Sequence, residues 1–221
     1  MGIMTKELAR PIKNMEVIKM SKVIKLLPML AITLTLITNA CAEIVRFEPG
    51  VYENLLLGVN KNGSVTGYYR EAQGEGAVKS CVFSFKGEAK ESSANIIVGG
   101  DKSFPGEIKA GTDEINLKIE KGRELPGCGL VLMPEIATGI SFDLITKAPW
   151  SELIVITNEK SYFHSEPKAD KQLKSYLVKG DVVGVVATQN DWLQIDYYSS
   201  NGKMTRRWIN NHETASLQLI N

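Results

Sequence analysis

Histidine is nearly absent from this chain: its 221 residues hold two, His164 and His212. Neither lies in an H-E-x-x-H run, and no cysteine has a second Cys or a His at ligand spacing, so the common metal-site patterns are excluded. There is no G-x-S-x-G elbow. Ser165 to Lys168 matches S-x-x-K in form, but Pro167 lies inside it and forbids the helical turn on which that chemistry depends. Acidic residues are plentiful but scattered, with no pair that reads as a glycosidase site. The expectation is a protein that is not an enzyme, with no metal and no cofactor. Net charge is also scarce, at +1. No basic excess exists to displace counterions, so nucleic acid is excluded as a partner. The charge-free apolar run Leu26–Ile37 is far short of the roughly 20 residues that span a bilayer, which predicts no transmembrane anchor in the mature protein. Nowhere do apolar residues recur at i, i+3, i+4 and i+7 between caps, so helices are not expected either.

What the N-terminus does contain is a leader pattern. Lys19, Lys22 and Lys25 precede LLPMLAITLTLI, and Ala40-Cys41-Ala42 follows it before Glu43. A basic segment, a short apolar segment and an A-x-A exit make a secretory signal peptide over residues 1–42. The economical start is then Met20 or Met15 rather than Met1. The expected location is periplasmic or extracellular. The rival exit, a lipoprotein anchored at Cys41, is disfavoured by Asn39, which stands where a lipobox has a small residue. Residues 1–42 carry a balance of +4, which leaves the mature part mildly acidic at −3.

Two cysteines then remain, Cys81 and Cys128. In an oxidising compartment an even pair is most simply a disulfide. Its loop of about 48 residues is worth about 4 kcal/mol in the chain-entropy account. Two separate buried thiols are the other reading.

From Phe47 onward, short β-rich runs alternate with turn residues. Val51–Val59 and Ser64–Arg70 flank Asn60-Lys61-Asn62-Gly63, a hairpin signal because Asn and Gly tolerate positive φ. Cys81–Lys86 alternates with period two, which places Val82 and the phenylalanines near a core. Asn95–Val98, Glu107–Lys109, Glu114–Ile119, Gly127–Met133 and Ile140–Ile145 continue the series of expected strands. Trp150–Thr157 reads as a last strand or a joint. Of the neighbours Tyr68 and Tyr69, only one can face a core, and the outward one is a candidate contact. The expected fold class is therefore all-β, with an N-terminal antiparallel β sandwich or small barrel over residues 43–158.

The remaining residues, 159–221, contain a specific order of motifs. Ser161-Tyr162-Phe163-His164-Ser165-Glu166-Pro167 is followed by Tyr176-Leu177-Val178-Lys179-Gly180-Asp181 and Val182–Val186. Asn190-Asp191-Trp192-Leu193-Gln194-Ile195, a turn at 199–202, and Arg207-Trp208-Ile209 then complete the order. This resembles the bacterial SH3 (SH3b) family over about residues 160–215, and the resemblance implies an SH3-like β-barrel. Two departures are Arg207, where the family has Gly, and a longer loop at 199–206. Strand alternation in 191–197 turns Leu193 and Ile195 one way and Trp192 and Gln194 the other. Trp192 is expected outward, joining Trp208, Tyr162 and His164 on one recognition surface.

Two functions are expected to compete. One is an exported, non-catalytic binding module of the envelope that recognises cell-wall peptide or a protein partner, as the family resemblance implies. The other is a periplasmic immunity or inhibitor protein, a disulfide-stapled β protein that plugs the cleft of a wall-degrading hydrolase or other toxin.

Overall fold

The computed structural model describes residues 46–75 and 79–218. The expected signal peptide and Cys41 lie outside the described residues. The rest is all-β. Eight strands, β1 (Gly50–Tyr52), β2 (Leu55–Val59), β3 (Ser64–Gln73), β4 (Lys79–Lys90), β5 (Ser93–Val98), β6 (Phe104–Ala110), β7 (Glu114–Lys118) and β8 (Ile140–Lys147), close an antiparallel up-and-down barrel. The run 51–59 is two strands, not one, because Glu53 and Asn54 turn between β1 and β2. The Asn60 turn forms as expected: its Oδ1 accepts from the amides of Asn62 and Ser64 at 2.9 Å, and Gly63 takes φ +88°.

The barrel interior is filled rather than hollow. Cys81, Phe83 and Phe85 alternate inward along β4, while Val82 turns to the other face and is only half-buried. Tyr69 stacks on Phe83 with ring centroids 4.7 Å apart and meets Phe142 edge-on. Room for Phe85 comes from Gly67 opposite it, where a Cβ would lie 2.0 Å from the ring. One mouth is closed by the connection from β7 to β8. Gly127–Met133, expected to be extended, instead holds a 3-10 turn at Cys128–Leu130, flanked by others at Gly122–Glu124 and Pro134–Ala137. Pro134 and left-handed Gly127 interrupt extension there, and Leu125, Val131, Leu132 and Ile136 point into the core at spacings no strand provides. The Cys81–Cys128 disulfide fixes this plug to β4.

A second sheet follows: β9 (Glu152–Ile156), β10 (Ser161–His164), β11 (Gln172–Leu177), β12 (Val182–Gln189), β13 (Trp192–Tyr198), β14 (Met204–Asn210) and β15 (Thr214–Ser216). Its order, β11-β10-β14-β13-β12-β9-β15, curls into a half-barrel around Phe163, Leu177, Val183, Val185, Leu193, Ile195 and Ile209. β9 pairs with β12 and β15, so the change of sheet falls before Glu152. The reason is that Leu153-Ile154-Val155-Ile156 is apolar on both faces. Ile154 and Ile156 enter the half-barrel core, whereas Leu153 and Val155 join a second apolar layer against the barrel wall.

That layer joins the two sheets. Val51, Leu56 and Tyr68 of the barrel exterior pack with Trp150, Leu153, Val182 and Leu217. The Leu153 amide donates to Thr66 Oγ1 at 2.8 Å, and Ser84 Oγ donates to the Gln218 carbonyl at 2.7 Å. The described residues accordingly belong to one compact unit.

Candidate functional site

The outer face of the half-barrel, the side away from its core, is built from three neighbouring strands. Leu193 and Ile195 commit one side of β13 to the core, which turns Trp192, Gln194 and Asp196 outward. On β14 the direct partners of that outward row are Asn210, Trp208 and Arg206. On β10, Phe163 enters the core, so Tyr162 and His164 take the outer side, and His164 stands opposite Trp208. Residues facing each other in this way have Cβ atoms about 5 Å apart. His164, Trp208 and Gln194 therefore form a row across β10, β14 and β13.

All four residues of the expected surface lie on this face, in two subsets. Trp192 reaches across β14 to meet the His164 ring edge-on at 4.5 Å. Tyr162 instead packs edge-on against Tyr176 at 5.5 Å, with the Lys160 ammonium 4.7 Å from the Tyr176 ring centre. Trp192, Trp208 and Tyr162 are half-buried, but His164 is only 7% exposed because Trp192 covers it. Nδ1 of His164 lies 2.9 Å from the Lys168 carbonyl.

The same outward row ends in a buried charge that sequence reasoning missed. Asp196, 1% exposed, accepts from Trp150 Nε1 at 3.0 Å and from Arg206 Nε and Nη2 at 2.8 Å each. The paired carboxylate holds the Arg206 guanidinium above its ordinary range, chiefly through those hydrogen bonds. Trp150 lies flat over Gly184, where a Cβ would come within 2.2 Å of the indole. The one signal for this lock was Trp150 itself, a large aromatic in the expected joint. Tyr176, although part of the motif order, was not singled out as a contact, since it sits in a strand whose exposed residues show no apolar alternation.

Neither Tyr68 nor Tyr69 is a free contact. Tyr69 is in the barrel core, its hydroxyl donating to Glu71, and Tyr68 is half-buried in the seam between the sheets. Burial pushes the Tyr69 phenol far above its ordinary range, and the bond to Glu71 adds to the shift. Cys81 and Cys128 are fully buried and bonded to each other. Among the described residues no group of three His, Cys, Asp or Glu is placed to hold a metal ion. None of the described helices is long and apolar enough to cross a membrane. The face can therefore offer stacking surfaces, a ring nitrogen, amide groups and lysines. Comparisons with protein-family models, curated proteins and solved structures find no match for this chain.

Proposed function

We propose that this is an exported, non-catalytic binding protein of the bacterial envelope whose SH3b-like half recognises cell-wall peptide through the Trp192–Trp208 face. The observation that carries the reading is the grouping of His164, Trp192, Trp208, Tyr162 and Tyr176 on the outer side of the half-barrel, none of them part of its core cluster or of the seam cluster. Half-buried aromatics on a rigid sheet present large contact area at small entropic cost, the profile of binding hot spots. The leader pattern and the stapled barrel support export. The test is co-sedimentation with purified sacculi. Trp192→Ala is expected to keep the fold, with a thermal midpoint within a few degrees, while weakening retention by about 2 kcal/mol. Retention unchanged in Trp192→Ala and Trp208→Ala refutes the reading.

A different feature favours the inhibitor reading. Leu130 and Met133, 73% and 55% exposed, project from the plug that the disulfide clamps to the barrel. Beneath them Val131 and Leu132 are buried, so the projecting pair is held rigid, as a cleft-filling loop must be. Inhibition of a panel of envelope hydrolases, lost on Leu130→Asp, is the result that favours this second reading over the first.

A further inference from the structure

The His164 ring has a fixed hydrogen-bond sense. The Lys168 carbonyl has no proton to give, so Nδ1 must carry one and donate it across the 2.9 Å contact. In the neutral ring this leaves Nε2 as a bare acceptor. Nε2 has no partner among the described residues, yet it is not sealed: the only unpartnered side-chain oxygen or nitrogen fully closed off from solvent among them is Ser161 Oγ. The sliver of this 7%-exposed ring that stays open therefore includes Nε2, bordered by Trp192 in ring contact and Trp208 on the facing strand. An acceptor open there can exchange its water for a donor of a bound ligand.

The charges around it narrow the donor. Gln172, Lys174 and Tyr176 lie on the outer side of β11, because Leu173 and Leu177 take the core side, and Gln172 faces His164. No carboxylate of the described residues forms an ion pair with Lys160 or Lys174, and the Asp196 carboxylate on this face is taken by Arg206. The face thus offers an acceptor between aromatic rings and two lysines, Lys160 and Lys174, that no carboxylate of the described residues pairs. We infer that His164 Nε2 accepts a main-chain N–H of a bound peptide whose carboxylate is met by Lys160 and Lys174. This rests on the recognition-face reading above and specifies the chemistry that it selects. A neutral glycan answers the rings but leaves both lysines without a counter-charge.

Two measurements on the full folded chain test it. Long-range nitrogen correlation of the His164 ring, near neutral pH, is expected to show Nδ1 protonated and Nε2 bare; the reverse tautomer overturns the inference. The probe for binding is acetyl-alanyl-glutamyl-alanine, followed by amide shifts of β10 and β14, against the same peptide N-methylated at each amide in turn. One methylation is expected to weaken binding about tenfold, the worth of one buried hydrogen bond. His164→Asn retains a donor for Lys168 but lacks the outer acceptor. It is expected to lose the same factor for the parent peptide and nothing more for the methylated one. Methylation that has no effect at any amide, an absence of shifts on β10 and β14, or tighter His164-dependent binding of tri-N-acetylchitotriose each overturns it. Trp192-dependent retention on sacculi is independent of these outcomes, so the broader reading fails or stands separately.

Discussion

Removing the Asp196 carboxylate tests whether the two sheets are held together by a polar lock inside the apolar seam. In Asp196→Ala the Trp150 indole N–H loses its acceptor, and both Arg206 hydrogen bonds go. Stranding one partner of a fully buried ion pair costs about 3–5 kcal/mol. Arg206 is about half exposed and recovers water, so the unsatisfied indole and the lost charge-assisted bonds carry most of the cost. An expected loss of about 3 kcal/mol follows, or roughly 6–12 °C in Tm for a chain of this size. Arg206→Ala is expected to cost as much or more, because it leaves the carboxylate buried with only Trp150 beside it. Trp150→Phe removes a single donor and is expected to cost about 1 kcal/mol beyond any lost packing. Urea unfolding followed by circular dichroism and tryptophan emission measures all three. An Asp196→Ala protein within about 0.5 kcal/mol of wild type would refute the reasoning, since ordinary surface changes stay in that range.

Two further outcomes follow from the barrel. Cys81→Ser with Cys128→Ser is expected to cost about 4 kcal/mol in urea unfolding, from the loop of 47-residue separation, and to expose the plug to limited proteolysis while β1–β6 stay protected. Alkali is expected to unfold the protein: burial raises the phenols of Tyr52 and Tyr69, aided by Glu48 at Tyr52 and by Glu71 at Tyr69. With folded pKa values above the unfolded value of about 10, this stability is complete below pH 10 and drains as pH rises beyond it. Tyr69→Phe should therefore flatten the alkaline limb of a pH–stability curve, and an unchanged limb would contradict the assignment.

Legibility in the sequence followed the number of faces each segment buries. Strands with one buried face announced themselves: Cys81, Phe83 and Phe85 alternate and all three are fully buried. The outward turn of Trp192 was readable for the same reason, since Leu193 and Ile195 fixed the inward side. Segments buried on two faces were not readable. Leu153–Ile156 shows no alternation because one face enters the half-barrel and the other meets the barrel, so its sheet could not be assigned from pattern alone. The plug misled for a third reason. Its apolar residues resemble a strand in composition, but a disulfide and a left-handed glycine bend them into 3-10 turns. Asp196 was invisible because burial of a charge depends on partners, here Trp150 and Arg206, that no local pattern links to it.

The shared seam has a consequence for dissecting this molecule. A fragment cut at the motif boundary, residues 159–221, lacks β9, which supplies the only strand between β12 and β15 and places Ile154 and Ile156 in the half-barrel core. It also lacks Trp150, leaving the Asp196–Arg206 pair without its indole donor and Gly184 without its cover. Loss of two large buried aliphatic side chains alone costs on the order of 4–10 kcal/mol, comparable to the whole stability of a small domain. The fragment is expected to be unfolded, with flat near-ultraviolet dichroism and no cooperative transition. A fragment beginning at Ala148 restores β9 and Trp150 but uncovers Leu153, Val182 and Leu217, and is expected to fold while binding hydrophobic dye. A cooperative transition in residues 159–221 alone would show that the aromatic face is carried by an independent module. Failure of that fragment with rescue by residues 148–221 would instead show that the face needs β9 and the Trp150 cover, and that these suffice without the barrel.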